Sequence, residues 1–344
     1  MNPPEHANLQ PAVRALLEKV TSAQEWTIVP LPPGGNNRVY RIQTPGAQYF
    51  LKAYFQHPGD QRDRLGHEFA FTGFAWSNGI CCLPRPLACD RQQNLGLYEF
   101  LPGRRLEPAE VTPAHVAQAL NFVLGLNRHR HTPAAAALPV AAEACFKLSA
   151  HLQMVERRLA RLVEAVEQAE AAAFIRGELL PMRERVRQHI VAGAERAGLP
   201  LDEELPAGQR CLSPSDFGFH NALLGEDGRL KFIDFEYAGW DDPVKMICDF
   251  FSQPAVPPPP VCAAEFTDVL AVDLQLGNAL RRRMGLLRPL FQLKWCCIVL
   301  NEFLPVGKAR RSFAAAGAGD WEARQAVQLQ KARAMLAAVV FSSP

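Results

Sequence analysis

The stretch Leu212-Ser213-Pro214-Ser215-Asp216-Phe217-Gly218-Phe219-His220-Asn221-Ala222-Leu223-Leu224, with Leu230-Lys231-Phe232-Ile233-Asp234-Phe235-Glu236-Tyr237-Ala238-Gly239-Trp240 soon after it, decides how the chain is read. Two compact β-like runs, NALLG (221–225) and LKFIDF (230–235), flank the turn Glu226-Asp227-Gly228, which predicts a β-hairpin. Asp216 and Asn221 stand five residues apart before and at the start of the first arm, and Asp234 ends the second. A carboxylate can orient a hydroxyl and take its proton, while a nearby amide oxygen ligates a divalent cation without adding charge. A second carboxylate at the end of an apolar strand can hold that cation between phosphate oxygens. Asp and Asn are also ordinary capping residues in turns, so the hairpin alone leaves both readings open.

Toward the N-terminus, from Trp26 to Leu101, the chain reads as short β-rich runs broken by turns: WTIVPL (26–31), RVYRIQT (38–44), QYFLKAYF (48–55), RPLACD (85–90) and LGLYEFL (95–101). One helical interval interrupts them from about Gln61 to Asn78, with Phe69, Phe71, Phe74 and Ala75 crowding one side and Gly79 as a stop signal. The expectation is a five-stranded antiparallel sheet with one inserted helix. Gly34-Gly35-Asn36-Asn37-Arg38 makes a glycine turn between two of the runs. Glycines let backbone N–H groups approach phosphate oxygens, so a strand, turn and strand can lie over a triphosphate as a lid. The segment lacks the Gly-Lys-Ser/Thr ending of a Walker loop, and taken alone it also reads as a plain hairpin turn. Lys52 sits alone among apolar strand residues on the face of Phe50 and Tyr54, and a partly buried ammonium needs an anion. Glu68, sixteen residues later on the expected helix, supplies one carboxylate and phosphates can supply more. A surface lysine on an edge strand beside a solvated glutamate is the other reading.

After Gly103 the chain turns to Ala-, Leu- and Arg-rich helical segments. From Phe146 to Val166 the residues Leu148, Leu152, Val155, Leu159, Leu162 and Val166 recur at spacings of three and four, and the stripe is short enough to read as an amphipathic helix packed on its own domain instead of a coiled coil. A second helix is expected over Met182 to Ala197, ended by Gly198 and Pro200. PAVPPPP (254–260) reads as an extended connector, and helices are expected again at intervals through Ala264–Leu304 and from Asp320 to Val340.

The 344 residues, 48% of them hydrophobic, are enough for two packed lobes. Lys plus Arg total 37 against 35 Asp plus Glu, so no overall field drives the chain onto nucleic acid or anionic lipid, and neither is expected as a partner. The N-terminal MNPPEHANLQPAVRALLEKV carries charges and prolines where a signal peptide needs an apolar segment, and no run approaches the roughly 18 apolar residues of a membrane span. The nine cysteines, Cys81, Cys82, Cys89, Cys145, Cys211, Cys248, Cys262, Cys296 and Cys297, include adjacent pairs but no CxxC. They read as reduced, mostly buried side chains, and the chain as cytoplasmic.

The four segments, in this order, resemble the aminoglycoside phosphotransferase and choline kinase-like group, relatives of the protein kinases, over roughly Leu31 to Phe251 and most specifically over Asp216–Asp249. The resemblance implies an α+β, two-lobed protein-kinase-like fold: residues 1–101 as a small antiparallel β-sheet lobe that binds nucleotide, with a helical extension at about 8–22, and residues 102–344 as a larger, mainly helical lobe. It implies ATP and Mg²⁺, and transfer of the γ-phosphoryl group to a hydroxyl of a small molecule such as an amino sugar, amino alcohol or sugar. Lys52 and Glu68 would be the ion pair that positions the phosphates, under the turn Gly34, Gly35, Asn36, Asn37 and Arg38. Asp216 would be catalytic, with Asn221 and Asp234 as Mg²⁺ ligands. Tyr98-Glu99-Phe100-Leu101 would be the hinge whose backbone, at Glu99 and Leu101, meets the adenine edge. Asp249 would brace the catalytic loop.

The match has departures. The family usually writes His-Gly-Asp where this chain has Pro214-Ser215-Asp216, and often a histidine where it has Gly218. These leave open a nucleotide-binding module that transfers no phosphate, and they leave His220 as a compensating group. A protein kinase would show an activation segment and an Ala-Pro-Glu element after the metal aspartate, and the chain has neither. For the acceptor, Glu236, Asp241 and Asp242 offer negative charge to a cation, with Tyr237 and Trp240 as aromatic faces; in the alternative, Asp241 and Asp242 cap the following helix and the aromatics belong to the core.

Overall fold

The computed structural model describes residues 9–32, 37–56, 62–305 and 321–341. Gly34, Gly35 and Asn36 of the glycine turn lie outside them. Helix α1 (Gln10–Leu17) precedes the strands β1 (Thr27–Pro30), β2 (Arg38–Gln43) and β3 (Gln48–Ala53), helix α2 (Arg64–Ser77), and strands β4 (Pro86–Asp90) and β5 (Leu95–Glu99). The five strands form one antiparallel sheet in the order β1-β2-β3-β5-β4. Lys52 faces Val39 on one side and Gly96 on the other, so its strand is the middle of the sheet and the edge-lysine reading falls.

Alternation along the strands decides what each face does. Tyr40, Ile42, Leu51, Leu95 and Leu97 bury one face against Val13, Leu16 and Leu17, the three- and four-residue stripe of α1. On the other face lies α2, whose Phe71, Phe74 and Ala75 join the core of the second lobe. Asp63 caps α2 by accepting from the Gly66 N–H at 2.8 Å. The helix stops where Gly79 adopts φ 76° and Ile80 N–H returns to Ala75 O at 3.0 Å, a left-handed ending that glycine takes at no steric cost.

Beyond the short strand β6 (Arg104–Arg105), α3 (Pro113–Arg128), α4 (Leu148–Ala165) and α5 (Leu180–Arg196) lead to four further short strands: β7 (Cys211–Ser213), β8 (Ala222–Leu224), β9 (Leu230–Phe232) and β10 (Gly239–Asp241). Helices α6 (Pro243–Ser252), α7 (Ala263–Asp273), α8 (Gly277–Val299) and α9 (Trp321–Ala337) complete the fold. The long α8 packs against α4, α5, α6 and α9 and is the axis of this helical region. The α4 stripe is an ordinary packed face, with Leu148, Val155, Leu159 and Leu162 buried.

β8 and β9 pair as the expected hairpin, Ala222 opposite Phe232 and Leu224 opposite Leu230, with Gly228 at φ 71° in the turn. β7 pairs with β10, Ser213 opposite Gly239 and Cys211 opposite Asp241. These two small sheets bracket the chemistry-bearing loops: Asp216 lies between β7 and β8, and Asp234 between β9 and β10. All nine cysteines are free thiols, six of them buried. No helix among the described residues is long and apolar enough to cross a membrane.

Candidate active site

Lys52 is the hub on the sheet side. Its Nζ lies 2.7 Å from Glu68 Oε2, 2.5 Å from Asp234 Oδ1 and 3.6 Å from Glu236 Oε2. Burial works against its charge, but Asp234, Glu68 and Glu236 outweigh burial and hold its pKa well above the ordinary lysine value. Glu68 is saturated: Tyr54 Oη donates to the same Oε2 at 2.8 Å, and the Phe235 N–H donates to Oε1 at 3.3 Å. Tyr54 in turn shares a 2.7 Å bond with the buried Tyr98 hydroxyl. Tyr98 can lie back along its strand only because residue 96 is glycine; a Cβ there would come within 2.6 Å of the ring.

Tyr54 is not among the site residues expected from sequence, and Tyr98 is expected there only as hinge backbone. The available signal was Tyr54's place two residues after Lys52, on the same strand face.

The loop carrying Asp216 is fixed from below. Asn127 of α3 is fully buried; its Nδ2 donates to Leu212 O at 3.0 Å and its Oδ1 accepts from Leu212 N–H at 2.9 Å, clamping β7. Phe217, next to Asp216, is sunk among Phe122, Phe232 and Phe250. Ser215 N–H donates to Ser213 Oγ at 3.1 Å, and Asn221 Nδ2 donates to Asp216 O at 3.0 Å. Asn221 O accepts from Ile233 N–H at 2.9 Å, so the Asp216 loop and the strand before Asp234 are one unit.

Five non-glycine residues among those described have left-handed φ, and three of them are Ser215 (47°), Asp216 (40°) and Asp234 (71°). Such backbone costs on the order of 1–3 kcal/mol per residue and gathers where function requires a particular side-chain direction.

His220 Nε2 stands 3.5 Å from Asp216 Oδ1. Burial raises the Asp216 carboxyl, and His220 overcomes it with help from Lys294, so the group lies below the ordinary range and stays ionised at neutral pH. Gly218 has extended backbone, yet a Cβ there would meet His220 Nδ1 at 2.7 Å and Gln253 Cγ at 3.1 Å. Gly218 and His220 are therefore one arrangement: the His220 ring uses the space that a side chain at 218 would need.

The donors expected for a cation fit Mg²⁺. Asn221 spends its amide nitrogen on Asp216, which leaves its oxygen for a hard metal, and Asp234 keeps 31% of its side chain open while one oxygen holds Lys52. Burial, with Glu236 and Glu68 crowding it, pushes the Asp234 carboxyl up to about 7 in spite of Lys52. Glu68, Asp234 and Glu236 also present carboxylate oxygens within 4.8 Å of one another, but the Lys52 ammonium is the cation that gathers them.

Several expectations differ from the geometry. Asn37, expected at the phosphates, has its side chain engaged elsewhere: Nδ2 donates to Glu236 Oε2 at 2.5 Å, and Oδ1 accepts from Phe55 N–H at 3.0 Å. Arg38 opens β2 opposite Ala53. Glu236 and Asp241, considered for the acceptor, are both buried inside the protein. Glu236 lies with Asn37, Lys52 and Arg64, and Asp241 binds Lys245 Nζ at 2.5 Å. Asp242, whose Oδ1 accepts from Val244 N–H at 2.8 Å, is the N-cap of α6, as in the capping alternative. Asp249 holds Lys294 Nζ at 2.9 and 2.8 Å and Trp295 Nε1 at 2.9 Å, so it joins α6 to α8. On the hinge, Glu99 closes β5 with its N–H donated to Arg85 O at 2.9 Å, and Leu101 follows outside the ladder.

Residues 27–252, more than half of the chain, match the family model described as "Phosphotransferase enzyme family". No curated protein matches the chain. Among solved structures, the fold is similar to a choline kinase from Cryptosporidium parvum, with TM-score 0.59, 12% identity and coverage of 95% of this chain and 96% of that one. It is also similar to an ethanolamine kinase from Plasmodium vivax, with TM-score 0.58, 12% identity and coverage of 96% and 91%. A third similar structure is an aminoglycoside phosphotransferase solved with AMP-PNP and hygromycin B, with TM-score 0.52, 16% identity and coverage of 94% and 97%. At these identities the likeness establishes the two-lobed kinase-like fold.

Proposed function

The chain belongs to the phosphotransferase enzyme family, and from that premise we propose that it transfers the γ-phosphoryl group of ATP, with Mg²⁺, to a hydroxyl of a small molecule. One observation carries the reading: Lys52 bridges Glu68 and Asp234, while Asn221 ties that second element to the Asp216 loop. An ammonium, an ionised carboxylate and two oxygen donors thus share one framework, which is what phosphoryl transfer by positioning and charge stabilisation requires.

In this reading the acceptor oxygen bonds to the γ-phosphorus as that phosphorus parts from the bridging oxygen of ADP, and the hydroxyl proton passes to Asp216. Asp216 is suited to the task because His220 holds it ionised and its backbone carbonyl is fixed by Asn221. Lys52, braced by Glu68, orients the phosphates. Mg²⁺, when held by Asn221 and Asp234, supplies charge that offsets the phosphate oxygens. Backbone at Glu99 and Leu101 meets the adenine, and the lobes divide near residue 101. A cytoplasmic location, where ATP is abundant and the free thiols stay reduced, goes with this assignment.

A module that binds nucleotide without transfer gains no support from the described residues, since Lys52, Glu68, Asp216, Asn221 and Asp234 are all in place. The test is incubation with ATP, Mg²⁺ and a library of hydroxylated metabolites, read by the mass of one added phosphate. Nucleotide binding with no phosphorylated product from any acceptor would overturn the reading.

A further inference from the structure

Outside the Lys52 cluster, a cavity of about 200 Å³ lies against α4, lined by Glu143, Cys145, Met154, Arg157, Arg158 and Arg161. The arginines fall at i, i+1 and i+4 of one helix and line a space with one carboxylate, Arg158 buried and Arg157 and Arg161 exposed at its mouth. That carboxylate is taken: Arg158 Nη2 donates to both oxygens of Glu143 at 2.5 Å. Burial opposes the Glu143 charge, but Arg158 foremost, then Lys294 and Lys245, draw its carboxyl down to about 2.

The remaining positive charge is uncompensated locally. Arg158 is 9% exposed, and its Nε has no hydrogen-bond partner among the described residues. Arg157 and Arg161 have no ion-pair partner among them either. Burial and then repulsion by Arg158 lower the Arg161 pKa, with only part of the effect returned by Glu143. A buried donor without an acceptor is costly, and planar guanidiniums gathered in a concavity match the paired oxygens of a carboxylate or phosphate.

The cavity is joined to the segment that follows Asp234. Ala142 N–H donates to Tyr237 O at 3.1 Å and Ala141 N–H to Trp240 O at 2.9 Å, which pins the cavity wall to the segment after Asp234. Glu143 lies near enough to Asp216 for the two carboxylates to repel. The acids considered for a cationic acceptor, Glu236 and Asp241, are meanwhile committed to internal cations.

We propose that this cavity seats an anionic group, carboxylate or phosphate, of the hydroxylated acceptor, which makes the substrate a hydroxy acid or a phosphorylated alcohol and not a cationic amine. The assignment rests on the phosphotransfer reading above, and the transfer step is unchanged by it.

The test uses the full chain and an Arg157→Gln/Arg161→Gln variant, which leaves the Arg158–Glu143 pair intact. Matched probes are glycerate, glycerol 3-phosphate, glycerol and ethanolamine, with binding read by saturation-transfer NMR and transfer from ATP read by product mass. Saturable binding of the two anions is expected, weakened about tenfold or more in the variant with ATP affinity unchanged. The tighter of the two distinguishes carboxylate from phosphate. Anion binding equal in both proteins, no anion binding at all, or a preference for ethanolamine overturns the proposal. Anion binding lost in the variant, with no product from any hydroxy acid or phosphorylated alcohol, leaves the anion site standing and brings down the phosphotransfer reading instead.

Discussion

His220 Nε2 reaches to 3.5 Å from Asp216 Oδ1 across the space left by Gly218, where a Cβ would come within 2.7 Å of the imidazole. Gly218→Ala should therefore displace the ring and act on Asp216 at one remove. The expected result is a fall in kcat of about tenfold, small beside the 10²-fold cost that a 1 Å misplacement can reach, with nucleotide affinity unchanged. His220→Gln should give a similar loss, and the double variant should be little worse than either single one, because both remove the same contact. Losses that multiply would show that the two positions act independently.

Lys52 is the cation that lies against all three of the packed, largely buried carboxylates Glu68, Asp234 and Glu236, while Arg64 reaches Glu236. Lys52→Ala leaves those charges facing one another, and removing one partner of a buried ion pair costs about 3–5 kcal/mol. Urea unfolding should register a loss of that order along with loss of nucleotide binding, and Lys52→Ala/Glu68→Gln should recover part of the stability. A loss below about 1 kcal/mol, the size of an exposed pair, would mean the cluster is solvated in solution.

The same cluster marks where sequence reading succeeds and where it stops. Strand alternation located the sheet, and the pairing of Lys52 with Glu68 followed from the need of a buried ammonium for an anion; the structure puts them 2.7 Å apart. Glu236 was misread because a residue in a loop has no periodicity to say which way it points, and here it turns inward to Asn37, 199 residues away in the chain. Asn127 was missed for a related reason: an asparagine inside a helix gives no local sign that it will clamp a strand 85 residues on. The α4 stripe was read for its apolar residues alone, and only the fold brings Glu143 and the segment after Asp234 to the arginines of that helix.

Stability should respond to acid through Asp242. Burial opposes its charge, yet Arg283 and His151 outweigh burial and hold the carboxyl down at about 2. An unfolded aspartate titrates near 3.9. The folded value is the lower one, so the contribution is fully present above the unfolded pKa and is lost as pH falls through the folded one. The shift corresponds to about 2–3 kcal/mol at pH 7, with roughly half left near pH 3. Asp242→Asn keeps an N-cap for α6 but lacks the charge. The gap in urea midpoint between wild type and variant should narrow from pH 7 to pH 3; a gap of constant size would assign the effect to packing.

Asp216→Asn separates the base from the loop that carries it. The loop is held by backbone groups, Ser215 N–H to Ser213 Oγ and Asp216 O from Asn221 Nδ2, and neither bond uses the Asp216 side chain. Asparagine also tolerates the φ of 40° that residue 216 adopts, which makes it a cleaner substitution than alanine. What the amide cannot do is accept the hydroxyl proton. Turnover should fall by about 10²–10⁴-fold, the usual range for loss of a general base, while nucleotide affinity stays put because Lys52, Glu68 and Asp234 are untouched. Turnover retained within a few-fold would take the base role away from Asp216 and move attention to His220, the titratable group that stands beside it.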